Sequence, residues 1–391
     1  MYGIALEGGG MKGAYHMGAI KAILECGYKI GGYVGTSIGA FNAAVLAQGD
    51  FKKLYDMWYN GSAAMGFDVE ENEITKVISK KLDVKAIKYW THFFKSAISN
   101  KGIDTEKLKE LYDNTIDEKK LRQSKLDYGL VTVSLTDKKP IYMCKEDIPK
   151  GLISTYVLAS SNLPVFKQFK LLDDDKTYID GGFIDNCPIT ILKNKGYKDI
   201  IEIRTKAIGV YKKIDRKNLN IITITASKDL GNVLFSDNVT VRNNIKMGYF
   251  DALRVLKGYI GDKFYVIPEE NSKVFERILT ISDENILRII KKIKVPGVKD
   301  NMEPKKILFE KMFPYISSKL KNKDTTSYQK LLIAMMEYVL ENEIEVYKLY
   351  TFDELLQKFK KKIPHLMKKE KEAIIKNNIN MLILEIIKNI E

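Results

Sequence analysis

The sequence predicts an α/β fold, a mostly parallel sheet flanked by helices, followed by a helical C-terminal region. Three observations carry that prediction. Short β-branched runs alternate with helix-period segments over the first two-thirds of the chain, the pattern of strands joined by crossover helices. A run of glycines closes the first strand and opens the first helix. After Pro268 the strand signals stop, and amphipathic segments rich in Lys, Glu, Ile and Leu take over.

In chain order, residues 2–6 read as a strand and residues 14–26 as a helix carrying apolar Ile20, Ile23 and Leu24 and closed by Gly27. A short strand at Tyr33 and Val34 leads into an alanine-rich helix over 38–47 that stops at Gly49. Further strands are expected at 128–134, 177–179, 200–204, 221–225 and 264–267. A boundary near residue 270 then separates an α/β domain, 1–268, from a helical accessory region, 269–391. Pro296 with Gly297, Pro304, Pro314 and Pro364 are expected to break that region into short helices, with a loop over 319–324.

Length and composition fit this division. A chain of 391 residues, 45% hydrophobic and 29% charged, can bury a full core and still carry an accessory unit. The formal charge of +14 is spread along the chain as lysine. It reads first as solvated surface, and it favours anionic partners such as an acidic membrane; a nucleic-acid partner is not expected. Cys26, Cys144 and Cys187 form no framework and read as thiols of a reducing compartment. With histidine only at His16, His92 and His365, no metal site is expected. No apolar run approaches the roughly 18 residues of a membrane span. The N-terminus lacks a secretory pattern, so a cytoplasmic protein with peripheral membrane contact is expected, its oligomeric state open.

Three motifs carry chemistry. Gly35-Thr36-Ser37-Ile38-Gly39 has the G-x-S-x-G pattern of a nucleophile elbow, in which a serine stands on a tight strand-to-helix turn and the flanking glycines leave room for it. The Ser37 amide and its neighbours open a helix whose positive end favours an oxyanion. The second motif, residues 8–13, is Gly-Gly-Gly-Met-Lys-Gly between a strand and a helix, and it exposes successive backbone N–H groups to an oxyanion or a phosphate. Gly13 is followed by Ala14 and Tyr15, which excludes a P-loop. Gly8, Gly10 and Gly13 also fit G-x-G-x-x-G, so a dinucleotide-binding oxidoreductase is the rival reading, although residues 28–33 lack its acidic residue. A non-catalytic basic membrane-surface module is the third. The last motif, Asp180-Gly181-Gly182, follows the strand 177–179 and reads as a turn that can also hold a carboxylate near the serine hydroxyl.

In this order and spacing the three motifs resemble the patatin-like phospholipase family over about residues 1–268. Ala159-Ser160-Ser161 with Pro164 and Phe166, and Asn186 with Pro188, resemble the family's segments on either side of Asp-Gly-Gly. The resemblance implies a three-layer α/β/α core that cleaves lipid acyl esters, as phospholipase A or lysophospholipase, through an acyl-enzyme. It implies Ser37 as nucleophile and Asp180 as base, oxyanion donors at the amides of Gly9, Gly10 and Ile38, and supporting roles for Lys12, Gly35, Gly39, Gly181 and Gly182. It implies no histidine, metal or cofactor. His16 falls in the first helix, His92 beside Trp90 and Phe93, and His365 in the tail, none with a supporting motif. Two positions depart from the family: Glu7 where members commonly have Asp, and Lys12 where they have Arg. Lysine keeps the charge but not the guanidinium fork, and Glu7 reads as structural.

Overall fold

A computed structural model describes residues 1–61, 105–164, 166, 175–234, 236–320, 327–340, 343–372 and 378–391. These fall into two units, Met1–Leu256 and Lys257–Glu391.

In the first unit, the described strands β1 (Tyr2–Leu6), β2 (Ile30–Thr36), β3 (Asp127–Ser134), β4 (Lys139–Cys144), β5 (Tyr178–Asp180), β6 (Asp199–Arg204) and β7 (Asn220–Thr225) share one sheet. Its order is β4-β3-β2-β1-β6-β7. All neighbours along it are parallel except β4, which runs antiparallel to β3. Successive strands step outward from β1 in one direction through β2 and β3, and in the other through β6 and β7. The switch point therefore lies between β1 and β6, where open α/β sheets place their ligands, outside the carboxyl ends of the strands.

β5 fixes the most consequential register. β2 pairs with β3 as far as Thr36 opposite Val131. Antiparallel β5 continues along the same edge of β3, with Asp180 opposite Thr132 in the next position. β2 and β5 thus meet head to head.

Alternation along the strands divides the two faces of the sheet. Ala5, Val34 and Ile200 pack with Ile189, Ile191 and Leu192 of a helix at Ile189–Asn194. The helices α1 (Ala14–Glu25) and α2 (Ile38–Ala47) follow the first two strands, and α2 lies on the opposite face from Ile189–Asn194, against Gly35. The result is the expected three layers. Gly27 and Gly49 follow the two helices with φ of 78° and 90°, the left-handed cap that ends a helix.

The sheet differs from the sequence expectation in three places. β2 spans seven residues and not two, because Gly31, Gly32 and Gly35 dilute the β-branched signal while pairing on both sides holds the strand. β4 was not anticipated; it is an edge strand that tolerates Pro140 opposite Val133. The strand within 264–267 does not join this sheet. Tyr265–Val266 belongs to the second unit and pairs with Leu349–Tyr350.

The second unit packs helices around Phe264, Ile278, Leu332, Met336, Leu356 and Ile383, all essentially inaccessible. Pro296 with Gly297 lies in the non-helical stretch between Asp283–Lys292 and Pro304–Ile307, as expected, whereas the prolines after it do not interrupt a helix. Pro304 occupies the first turn of Pro304–Ile307, where no intrahelical N–H is lost, and the chain continues through a π-helical turn into Phe313–Leu320, whose second residue is Pro314. Pro364 lies inside the 21-residue helix Phe352–Glu372. Lys319 and Leu320 end a helix, and the rest of the expected loop lies outside the described residues. Among the described residues no helix is long and apolar enough to cross a membrane.

Candidate active site

Ser37 sits where β2 leaves the sheet, with φ 57° and ψ −128°, a conformation that costs a non-glycine residue on the order of 1–3 kcal/mol. Its surroundings impose it. The Ser37 N–H donates to Ser160 Oγ at 2.9 Å, and the Ser160 hydroxyl in turn donates to the Val131 carbonyl at 2.7 Å. The Ser37 carbonyl accepts from the amides of Ala40 and Phe41 at 2.8 and 3.2 Å, so α2 begins at once. Neighbouring Thr36 donates its hydroxyl to the Asp185 carbonyl at 2.8 Å. The elbow can close only because Gly35 lacks a side chain: a Cβ there would lie 2.2 Å from the Gly39 carbonyl oxygen. Gly39 is itself pressed against the Leu6 carbonyl.

Asp180 reaches the same point from the other side. Its N–H donates to the Asn162 carbonyl at 2.8 Å, and its carboxylate accepts the Gly182 N–H at 2.7 Å and is influenced by the neighbouring Ser37 hydroxyl. The following Gly181 lies against the Val131 carbonyl. Burial raises the Asp180 pKa from 3.8 to about 6, against the opposing pull of the Ser37 hydroxyl and the Gly182 N–H. Such a carboxylate is ionised at neutral pH yet close enough to its pKa to take a proton.

The glycine loop lies over the elbow. Gly9 and Gly10 have φ of 145° and 54°, and a Cβ on Gly10 would sit 2.0 Å from the Val233 carbonyl, which accepts the Met11 N–H at 2.7 Å. The Cβ position of Gly8 is 3.3 Å from that of Ser37. Among the described residues, the amides of Gly9, Gly10 and Ile38 donate to no protein acceptor. Lys12 follows in the loop's 3-10 turn, its ammonium 3.5 Å from the exposed Asp229 carboxylate.

Glu7, at the end of β1, ties this loop across the switch point. Fully buried, it accepts the amides of Thr205 and Ala207 at 2.8 and 3.0 Å, Arg204 Nε at 3.1 Å and the Tyr211 hydroxyl. Burial still pushes its pKa upward. The Asn186 backbone carbonyl accepts the Gly8 N–H at 3.0 Å. Neither Ser160 nor the Thr205–Tyr211 segment carries a local sequence signal of these roles, since their partners lie far away in the chain.

The histidines fall elsewhere. His16 is buried in α1, 3.1 Å from Asn42 Nδ2, and burial holds its pKa down to about 3. His365 is largely exposed, 3.8 Å from Glu343. His92 lies outside the described residues. Where a dinucleotide site would carry an acid at the end of β2, the chain has Thr36 and then Ser37. Among the described residues no group of His, Cys, Asp and Glu could hold a metal ion.

Residues 4–193 match the family described as patatin-like phospholipase. The chain is 27% identical over 208 residues to the lysophospholipase nte1 of Aspergillus terreus, covering 53% of this chain and 12% of that protein. It is 26% identical over 202 residues to the patatin-like phospholipase domain-containing protein 7 of Rattus norvegicus, covering 51% and 13%. The chain thus spans about an eighth of the length of these curated relatives. A crystal structure of VipD from Legionella pneumophila aligns over 100% of this chain and 91% of that one, with TM-score 0.40 and 16% identity.

Proposed function

We propose that this chain, whose residues 4–193 form a patatin-like phospholipase domain, is a serine lipid acyl hydrolase of phospholipase A or lysophospholipase type. The observation that carries the reading is a serine on a strained strand-to-helix turn meeting, at adjacent positions along β3, a buried carboxylate whose pKa is raised to about 6. In the first step Ser37 Oγ attacks the ester carbonyl while Asp180 takes its proton, and the amides of Gly9, Gly10 and Ile38 hold the oxyanion. Each such donor is worth on the order of 3 kcal/mol in the transition state. Asp180 returns the proton to the departing alcohol. In the second step it deprotonates a water that attacks the acyl-enzyme, and the fatty acid leaves as Ser37 is restored.

Lys12, Gly35, Gly39, Gly181 and Gly182 support this geometry, the first by charge near the oxyanion and the rest by permitting close approach. The relatives' names make a lysophospholipid the first substrate to try. In this reading the protein works in the cytoplasm at anionic lipid surfaces, with the helical region 269–391 as an accessory unit. Release of free fatty acid from lysophosphatidylcholine, phosphatidylcholine and a short-chain ester tests it. Ser37→Ala, correctly folded, should abolish release from whichever of these the parent cleaves; full activity in that variant rejects the assignment.

A further inference from the structure

After β6 the chain runs as a strap with two different sides. Its inner side is fastened to the site. Thr205 and Ala207 donate their amides to Glu7, the Thr205 hydroxyl donates to the Gly8 carbonyl at 2.9 Å, and Gly209 lies flat on Asn186. The Val210 N–H donates to the Gly182 carbonyl at 2.8 Å, and the Val210 carbonyl accepts the Asn186 N–H at 2.7 Å. The strap therefore bridges the glycine loop and the Asp-Gly-Gly segment.

Its outer side faces solvent: Lys206, whose backbone is left-handed with φ 54°, Ile208 and Val210 are exposed, whereas Thr205 and Ala207 are buried. Ile208 is 39% and Val210 52% exposed, and Ile184, next to the segment the strap is fastened to, is 36% exposed. Single exposed apolar residues are ordinary. Three together on the rim of one site are not, and here they are bordered by cations. Between 206 and 217 the chain has Lys206, Lys212, Lys213, Arg216 and Lys217 against Asp215 alone. Lys206, Lys213 and Lys217 make no ion pair among the described residues. Apolar side chains flanked by unpaired lysines match the boundary between acyl chains and anionic headgroups. A nucleic acid would use the lysines but leave Ile208 and Val210 in water.

We propose that the outer side of the strap is a docking surface for an anionic phospholipid layer. Ile208, Val210 and Ile184 enter the headgroup boundary, and Lys206 and Lys213 meet the phosphates. The inner hydrogen bonds hold the strap in place, so docking needs no rearrangement of the glycine loop beneath it. Its purpose rests on the hydrolase reading: it brings a lipid ester to the rim beside Gly9 without passage through water.

The test is vesicle sedimentation of the full chain carrying Ser37→Ala, which removes turnover. Vesicles of phosphatidylcholine with and without phosphatidylglycerol are compared at low and high salt. Binding should require phosphatidylglycerol and weaken with salt. The double change Ile208→Asp and Val210→Asp should reduce it more than about tenfold, and Lys206→Glu with Lys213→Glu about tenfold. Leu24→Asp, the same kind of change at an exposed residue of α1, should bind as the parent does. Thermal melts identify any variant that fails to fold, and the lysine pair then stands as the second measurement. Parental binding in both strap variants overturns the proposal, as does binding that ignores lipid charge and salt. Ser37 in the unmutated chain is probed separately with a fluorophosphonate. An inert Ser37 combined with strap-dependent binding refutes the hydrolase reading and keeps the docking surface; labelling with strap-independent binding does the reverse.

Discussion

At the carboxyl end of the first unit's sheet the backbone is set by side chains that are absent, whereas the Lys257–Glu391 unit is set by side chains that are present. Gly35 and Gly10 each occupy a place where a single added carbon would lie 2.2 or 2.0 Å from a carbonyl oxygen. Leu332 and Ile383 fill space that another apolar residue of similar volume could also fill. The first kind of constraint admits one residue type at one position. The second admits many, provided the periodicity holds.

The largest effect on this contrast should come from Asp180. Asp180→Asn is expected to lower turnover by about three to four orders of magnitude, because it removes the base while keeping the shape. It should also stabilise the fold. The carboxyl pKa is raised in the folded state to about 6 from 3.8, so the stability contributed by its protonated form is present at low pH and is lost as pH rises through 6. At pH 7 to 8 the variant should therefore gain up to about 3 kcal/mol over the parent, a gain that vanishes below about pH 4. Chemical denaturation at the two pH values, alongside ester turnover, checks both halves.

A smaller effect compares the two units directly. Leu332→Ala should cost about 2–5 kcal/mol, and Leu332→Met less than about 1.5 kcal/mol. Gly35→Ala should abolish fluorophosphonate labelling, and no residue other than glycine should restore it at that position. Denaturation midpoints and labelling across both series would break the contrast if Gly35 tolerated alanine or valine.

This contrast also explains what was legible in the sequence. The elbow at Ser37, the glycine loop and Asp180-Gly181-Gly182 stood out because their glycines are individually required, and Gly27 and Gly49 marked two helix ends for the same kind of reason. The meeting of β2 and β5 along β3 was not legible, since register is a property of pairing and not of either strand. β2 itself was hidden by the glycines that make it useful. Pro364 misled because tertiary packing can hold a helix through a proline that local propensity would end. Ser160 was visible as part of Ala159-Ser160-Ser161, but its task was not, because its partners Ser37 and Val131 lie elsewhere in the chain.

Ser160 yields the smallest of these effects. Ser160→Ala leaves the Ser37 N–H without its acceptor and should loosen the strained elbow, lowering kcat about ten- to a hundredfold with little change in KM. Ser160→Thr, which keeps the hydroxyl, should recover part of the loss. A variant that alters KM alone would show that Ser160 serves substrate binding and not the nucleophile's position.

The central claim is that Ser37 reacts because Asp180 is ionised. It is tested most directly by the rate of fluorophosphonate labelling as a function of pH, with the modified peptide identified. The expected result is labelling at Ser37 whose rate rises through a midpoint near pH 6, as the shifted Asp180 carboxyl ionises, and a slow, pH-independent rate in Asp180→Asn. Labelling at another residue, or an unchanged pH profile in Asp180→Asn, would contradict it.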